Sequence, residues 1–228
     1  MTAAEWQAGD HPEEMLAQLG KGADGRKLRL FLVACARRVL PADPDGDLLN
    51  VLDVAERFAD GLASKAMLAD ASAALKASHP SRASRWSGLY NSQIRSVPAW
   101  HATRVAIFKG AREGVGTAAW ASTRRPDGSG TVPMKEWRAQ SDLLREIFGN
   151  PFAKVVAPSR LSPSVRALAR ETLQARSGPH FALDVARLSV IADAFEDAGA
   201  DELLTAHLRS AGPHVRGCFA LDLILQGP

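Results

Sequence analysis

The sequence predicts an all-α protein, an irregular bundle of about eight to ten helices. The 228 residues are 46% hydrophobic and 23% charged, which is ordinary globular composition. Alanine and leucine are abundant, only 6% of the residues are aromatic and β-branched runs are few, which favours helix over strand. Apolar residues recur at three- and four-residue steps between proline and glycine breaks, which is the period of an amphipathic helix.

The most apolar stretch runs from Asp24 to Leu40. Its apolar residues lie on one helical face and extend well around it. The residues of that face are Leu28, Phe31, Leu32, Cys35 and Val39. The side chains left to face water are Arg26, Lys27, Arg29, Arg37 and Arg38. A helix this apolar is typical of the centre of a bundle, so we expect the other helices to pack around it.

Local start and stop signals delimit the other helices of the N-terminal part. Pro12 opens a short helix within residues 1–20, and Gly20 ends it. A second helix covers residues 47–61 and ends at a glycine. Ser64 caps a third helix that continues to about Ser78.

The middle of the chain breaks this pattern twice. Residues 79–97 are rich in serine and are predicted to form a loop, after which helix resumes near Pro98. Residues 123–131, with the sequence TRRPDGSGT, are predicted to form a flexible linker. The predicted organisation is an N-terminal helical region 1–122, this linker and a C-terminal helical region 132–228. The two regions pack on the same core or form one domain overall.

Five further helices are predicted after the linker. Their signals are proline or a capping residue at the start and glycine at the end. They run from Pro133 to Gly149, from Ser162 to about Arg176, from Phe181 to Ala198, from Asp201 through Leu208, and over the terminal GPHVRGCFALDLILQGP.

The cysteine content and the apolar runs indicate a cellular compartment. Cys35 and Cys218 both lie in apolar patterns, which is typical of buried thiols in a reducing compartment. No basic region followed by an apolar run opens the sequence, so no signal peptide is expected. The longest apolar run is far shorter than the roughly 20 residues of a membrane span. We therefore expect a cytoplasmic protein without a membrane partner.

The net charge is +3, but the charges are unevenly distributed, and the middle third of the chain is strongly basic. Residues 1–60 carry 7 basic and 11 acidic side chains, residues 61–140 carry 12 and 4, and residues 141–228 carry 9 and 10. Basic side chains interleaved with aromatic rings are typical of surfaces that bind single-stranded nucleic acid, and tryptophan with arginine is also typical of protein interfaces. The candidate residues for binding a partner or nucleic acid are Arg82, Arg85, Trp86, Arg95, Trp100, Arg104, Lys109, Arg112, Arg124 and Arg125.

His214 and Cys218 form the sharpest local cluster. If residues 213–225 are helical, the two side chains lie one turn apart on the same face. An imidazole beside a thiol can activate a nucleophile or supply half a metal site. No CxxC or HxxxH spacing accompanies the pair, so Cys35 or His207 would have to join it by folding. The sequence therefore favours a structural role for the pair and predicts no metal, no cofactor and no catalytic residue.

The motifs of common enzymes are absent from the sequence. It contains no phosphate-binding glycine loop, Rossmann fingerprint, HExxH or GxSxG. The question of catalysis stays open, and the sequence favours a non-enzymatic helical module that binds another protein. The alternative is a nucleic-acid-binding protein that uses residues 82–138. A hydrolase or metal-binding protein built around His214 and Cys218 is the third interpretation.

Several segments carry a family resemblance. The segments GRKLRLFLVACARRV and REIFGNPF, and the ending that contains GPHVRGC and an apolar tail, resemble a set of uncharacterised paralogous proteins of planctomycete-type bacteria. The resemblance covers both ends of the chain and residues 145–152, and it is weak from 79 to 131. It implies a recurring intracellular helical module of bacteria, with no functional residues to carry over.

Overall fold

The predicted all-α class is confirmed. The computed structural model describes residues 1–20, 22–40, 44, 46–78, 134–156, 158, 161–176 and 181–225. Helices make up 70% of these described residues, which contain no strand. None of the helices in these ranges combines the length and the apolar character that crossing a bilayer requires.

Ten helices are present in the described ranges. They are α1 (Ala3–Ala8), α2 (Pro12–Leu19), α3 (Gly25–Arg38), α4 (Gly46–Ala59), α5 (Lys65–Ser78), α6 (Met134–Phe148), α7 (Pro163–Gln174), α8 (Val185–Asp197), α9 (Glu202–Leu208) and α10 (Phe219–Leu225).

The chain divides into two compact units. Met1–Gly9 and Asp142–Pro228 form one, here the C-terminal unit, and Asp10–Ser141 form the other, here the middle unit. The division falls within α6. The predicted linker 123–131 lies outside the described residues, so the predicted boundaries at 122 and 132 stay predictions.

In the middle unit, α3 packs against α4 and α4 against α5. Four of the five residues predicted for the apolar face of α3 are buried, with Phe31, Leu32 and Cys35 fully inaccessible. The fifth, Val39, is half-buried and follows the last residue of the helix. The prediction that Arg37 faces water is wrong, because its side chain is buried. Its guanidinium lies 3.0 Å from Glu56 and 2.6 Å from Asp53, both on α4. A charge that leaves water needs such partners, and the helical period does not show them.

The first twenty residues contain two helices and not one. The second is the predicted helix that begins at Pro12. The first, α1, begins with a capping box in which the Thr2 hydroxyl accepts from the Glu5 N–H and the Glu5 carboxylate accepts from the Thr2 N–H. This T-x-x-E spacing is a helix-start signal that the sequence analysis missed.

The predicted caps of α7 and α9 are confirmed, and two predicted helices begin later than expected. Asp184, and not Phe181, precedes α8, since Phe181 has a φ of 54°, outside the helical range. The last helix begins only at Phe219. Gly217, with a φ of 93°, interrupts the segment before it, so residues 213–218 are not helical.

The core of the C-terminal unit forms around α8. This helix packs against α7 and α9, and α10 packs against α7. The buried side chains of α8 are Leu188, Ile191, Ala192 and Phe195. α9 contributes Leu204 and Leu208, and α10 with the residue before it contributes Cys218, Ala220, Leu221 and Ile224. This packing fixes the positions of α9 and of the start of α10, which carry two of the residues described next.

Candidate metal centre

Four side chains with metal-ligating atoms converge in the C-terminal unit. Glu146 comes from α6, His207 from α9, His214 from the segment between α9 and α10, and Cys218 from the position just before α10. One ligand atom of each lies within 4.8 Å of the ligand atoms of the others. The glutamate is 68 residues from His214 in the chain, so only tertiary folding assembles this set.

Three of the separations between ligand atoms in the cluster are short. Nε2 of His207 lies 2.9 Å from Oε2 of Glu146, and Nδ1 of His214 lies 3.2 Å from the same oxygen. Sγ of Cys218 lies 3.4 Å from Nε2 of His207. Zinc binds nitrogen and oxygen at about 2.0–2.2 Å and sulfur at about 2.3 Å, so its tetrahedral ligand atoms stand roughly 3.2–3.6 Å apart. Two of these three separations, 3.2 and 3.4 Å, fall in that range, and the third is a hydrogen-bond distance. Because the four atoms span up to 4.8 Å, the set must contract slightly for one ion to contact all of them.

The two oxygens of the Glu146 carboxylate have different partners. Oε2 faces both histidines, whereas Oε1 accepts a hydrogen bond from the Val215 N–H at 3.1 Å. The side chain is only 2% exposed. A buried carboxylate held by a backbone donor on one oxygen offers the other oxygen in a fixed direction, which suits a single bond to a metal.

The His214 ring is held from its far side. Its Nε2 lies 3.0 Å from the carbonyl oxygen of Ser210, and because a carbonyl only accepts, Nε2 carries the hydrogen. In the neutral ring Nδ1 is then an acceptor that faces a carboxylate oxygen. A proton, on the ring or on the carboxyl group, or a metal ion must therefore lie between Nδ1 and Glu146. Metal-binding histidines commonly donate their other N–H to a carbonyl in this way.

Gly212 gives the segment before His214 its turn. Its φ is 90°, and a Cβ built there would lie 2.7 Å from the backbone nitrogen of His214. Both observations require glycine at this position. The backbone of His214 is also anchored, since its carbonyl accepts from the Leu183 N–H at 2.9 Å.

Cys218 lies at the start of α10 with its sulfur inside the cluster. The residue is fully buried. The backbone N–H groups of Leu221 and Ala220 act to lower the pKa of the thiol, since nearby donors favour a thiolate.

Burial and the neighbouring charges shift the pKa values of the cluster. Burial alone raises the pKa of Glu146, but hydrogen bonds and charge from His207 and His214 outweigh it, and this pKa lies below its ordinary value. Burial alone lowers the pKa of His214, but Glu146 raises it above the ordinary value. Burial and the charge of Glu146 hold the pKa of Cys218 well above its ordinary value. Without a metal, the cluster therefore favours an imidazolium, a carboxylate and a neutral thiol.

His207 is the accessible member of the cluster, with a side chain that is 19% exposed. Its ring lies 4.5 Å from the Phe219 ring and 5.2 Å from the His214 ring, measured between centroids. His207 and Phe219 also line a cavity of about 470 Å³, together with Arg145, Gly149 and residues of α1. The cavity therefore adjoins the most exposed member of the cluster.

The structure brings together two residues that the sequence analysis singled out and two that it did not. His214 and Cys218 do lie near one point, but a turn and a helix start place them there and not one face of a helix. His207 joins them by folding, which the sequence analysis named only as a condition. Glu146 was missed, although a glutamate within the apolar period of Leu143, Leu144 and Ile147 signals a buried carboxylate.

The ten residues proposed to bind a partner or nucleic acid, from Arg82 to Arg125, lie outside the described residues. The described end of segment 82–138 shows local contacts within the middle unit. Trp137 packs edge-on against His11, with 5.0 Å between ring centroids, and Arg138 lies 3.4 Å from Asp10.

Comparison with known proteins adds no relative. No family model, no curated protein and no solved structure matches the chain. The resemblance to the planctomycete set therefore stays a prediction.

Proposed function

We propose that the chain is a metal-binding helical protein that holds one zinc ion through Glu146, His207, His214 and Cys218. The convergence of one oxygen, two nitrogens and one sulfur within 4.8 Å of one another carries the proposal, because these are atoms that bind zinc. Three of these side chains are at least 98% buried. Leaving a carboxylate, an imidazole and a thiol together in such a site is unfavourable without a cation.

The number of ligands favours a structural ion over a catalytic one. Structural zinc sites use four protein ligands, whereas catalytic sites use three and keep one position for water or substrate. Here all four positions are filled by side chains, which come from α6, from α9 and from the connection between α9 and α10. An ion at this point would link α6, α9, the turn at Gly212 and the start of α10. This proposal agrees with a module that is not an enzyme.

The donor set favours zinc over other ions. Magnesium and calcium prefer sites made of oxygen alone, so a thiolate and two imidazoles select against them. Cobalt(II) takes the same tetrahedral geometry and reports on it by its colour. Iron(II) and copper are the competing occupants, and metal analysis distinguishes them.

The test is metal analysis of the purified chain followed by cobalt substitution. We expect one zinc per chain. After exchange we expect a thiolate-to-cobalt charge-transfer band and the strong visible bands of a tetrahedral ion. Cys218→Ser should abolish the charge-transfer band, and His207→Ala should weaken cobalt binding at least tenfold.

Matched controls use the same residue types elsewhere in the chain. Cys35→Ser removes the other buried thiol, and His11→Ala removes a histidine of the middle unit. Both should leave metal content and cobalt spectrum unchanged. A chain that retains no metal and does not bind cobalt would contradict the proposal and favour an imidazolium–carboxylate cluster.

The functions predicted from sequence remain proposals beside this one. We infer that the module acts by binding another protein, with nucleic-acid binding through residues 82–138 as the alternative, and the metal centre is compatible with either. The resemblance to planctomycete-type proteins would place it in bacteria. Because Cys218 must be reduced to bind a metal, we propose a reducing compartment, the cytoplasm.

A further inference from the structure

Helix α1 docks within the C-terminal unit through Trp6. The Trp6 side chain is completely buried, and its indole N–H donates to the carbonyl oxygen of Gly149 at 2.9 Å. The Phe152 ring contacts it edge-on, with centroids 6.5 Å apart. A six-residue helix has little stability of its own, so these contacts hold it in place.

Arg145 fastens the end of the same segment. Its Nε donates to the carbonyl oxygen of Trp6 at 2.9 Å, and its Nη2 donates to the carbonyl oxygen of Gly9. The guanidinium thereby caps carbonyls at the C-terminal end of α1, where a positive charge is favourable. Arg145 is the residue before Glu146, the carboxylate of the metal centre.

Phe219 lies between the residues that hold Trp6 and the proposed metal centre. Its ring packs on Gly149, where a Cβ would lie 3.0 Å from the ring, and Gly149 supplies the carbonyl that accepts from Trp6. The ring also contacts the His207 ring, at 4.5 Å between centroids. Phe219 also follows Cys218 directly. Both residues that hold Trp6 are thus close to a proposed metal ligand. Arg145 directly precedes Glu146 in the chain. Gly149 packs on the Phe219 ring, which in turn contacts His207.

We propose that residues 1–9 form a metal-controlled latch. The ion fixes Glu146, His207 and Cys218, these fix Arg145 and Phe219, and the resulting surface holds Trp6. Without the ion, these side chains are held by the apolar core and by their own hydrogen bonds alone, so α1 docks more weakly and is released more often. Release exposes Trp6 and removes Ala3, Ala4 and Gln7 from the wall of the cavity beside His207. This inference rests on the proposed metal centre.

Thermodynamic linkage means that the latch can be measured either through zinc binding or through the docking of α1. If the ion favours docking of α1 by some factor, then docking favours ion binding by the same factor. Couplings of this kind are about 5- to 150-fold. A variant of Trp6 must therefore bind zinc more weakly although Trp6 touches no ligand atom.

The experiment measures zinc affinity by chelator competition and amide hydrogen exchange in the full chain. We expect Trp6→Ala to weaken zinc binding by at least about fivefold, and Trp6→Phe, which removes only the N–H donor and some area, to weaken it less. In the unaltered chain, removing zinc should accelerate exchange at residues 6–9 by at least about tenfold. Trp137→Ala, which removes a tryptophan of the middle unit, should leave zinc affinity unchanged.

The outcomes separate the latch from the metal centre. Equal zinc affinity in Trp6→Ala and the unaltered chain, or unchanged exchange at residues 6–9 after zinc removal, would overturn the latch and leave the metal centre intact. Failure of the unaltered chain to bind zinc would overturn both. If Trp6→Ala does not fold, Trp6→Phe and the exchange measurement on the unaltered chain still decide.

Discussion

Nδ1 of His214 lies 3.2 Å from Oε2 of Glu146 in a site where both side chains are at most 2% exposed. The hydrogen on Nε2 is committed to the Ser210 carbonyl, so this pair requires a proton or a metal ion between its two atoms. A proton satisfies the pair alone. A metal ion also satisfies the second nitrogen and the sulfur that converge on the same point, which is why we favour the metal.

The first prediction concerns the pH dependence of zinc binding. The pKa of Cys218 lies well above its ordinary value, so the thiol is protonated at neutral pH and zinc must displace its proton. The pKa of His214 is also raised, and below it a second proton must leave. The apparent zinc affinity should therefore rise with pH, by about tenfold or more per unit between roughly pH 6 and pH 8. Competition titrations across this range measure the slope.

Cys35→Ser is the control for that titration and should give the same slope as the unaltered chain. An affinity that does not change with pH would show that no proton is displaced. That result would contradict thiolate ligation by Cys218.

The second prediction concerns Gly212 and compares two glycines with positive φ. Gly212→Ala adds backbone strain and a Cβ 2.7 Å from the His214 nitrogen, whereas Gly199→Ala, with a φ of 69°, adds strain and meets nothing within 4 Å. Each should lose about 1–3 kcal/mol of unfolding free energy in urea. Only Gly212→Ala should also weaken zinc binding, because it displaces His214. Equal zinc affinities in the two variants would mean that the turn does not position His214.

The third prediction concerns the buried ion pair of the middle unit. Glu56→Ala removes a carboxylate 3.0 Å from the buried Arg37 guanidinium, while Asp53 remains 2.6 Å from it. The loss should therefore be about 1.5–3 kcal/mol of unfolding free energy, less than for a buried charge left unpaired. The double variant Arg37→Met with Glu56→Leu should lose much less, because no charge is left buried. Urea unfolding measures both.

Arg57→Ala, at the exposed neighbouring position, is the control and should change the unfolding free energy by no more than about 0.5 kcal/mol. If Glu56→Ala were as mild as this control, Arg37 would not depend on that carboxylate.

The fourth prediction concerns the reactivity of Cys35. Burial raises the pKa of this thiol, the charge of Glu136 raises it further, and the side chain is inaccessible. An alkylating reagent at about pH 8 should therefore leave Cys35 unmodified in the folded chain and modify it fully in urea. Peptide mapping by mass spectrometry locates the label. Rapid labelling under native conditions would show that α3 opens readily.

Local signals in the sequence account for most helix boundaries. Ser162 and Asp201 cap their helices as predicted, and Pro12 opens α2, because these signals act within one turn of the chain. The apolar period also predicted the buried face of α3. One error, the omission of α1, overlooked a local signal, the capping box of Thr2 and Glu5. The other two lie where a residue has an unusual backbone, at Phe181 and Gly217, since such angles depend on surrounding contacts.

The sequence by itself determined the all-α class and the start and end of most helices, because helical period and caps are set by neighbours in the chain. Only the tertiary structure brings the four candidate metal ligands together. Glu146 and His214 are 68 residues apart, and no residue spacing in the sequence predicts their contact. Likewise, only burial against α4 distinguishes Arg37 from the arginines around it. The helical period of α3 does not show which of its arginines will pair with acidic residues of another helix. The chemistry of this protein thus depends on contacts between segments, whereas its helices depend on contacts within them.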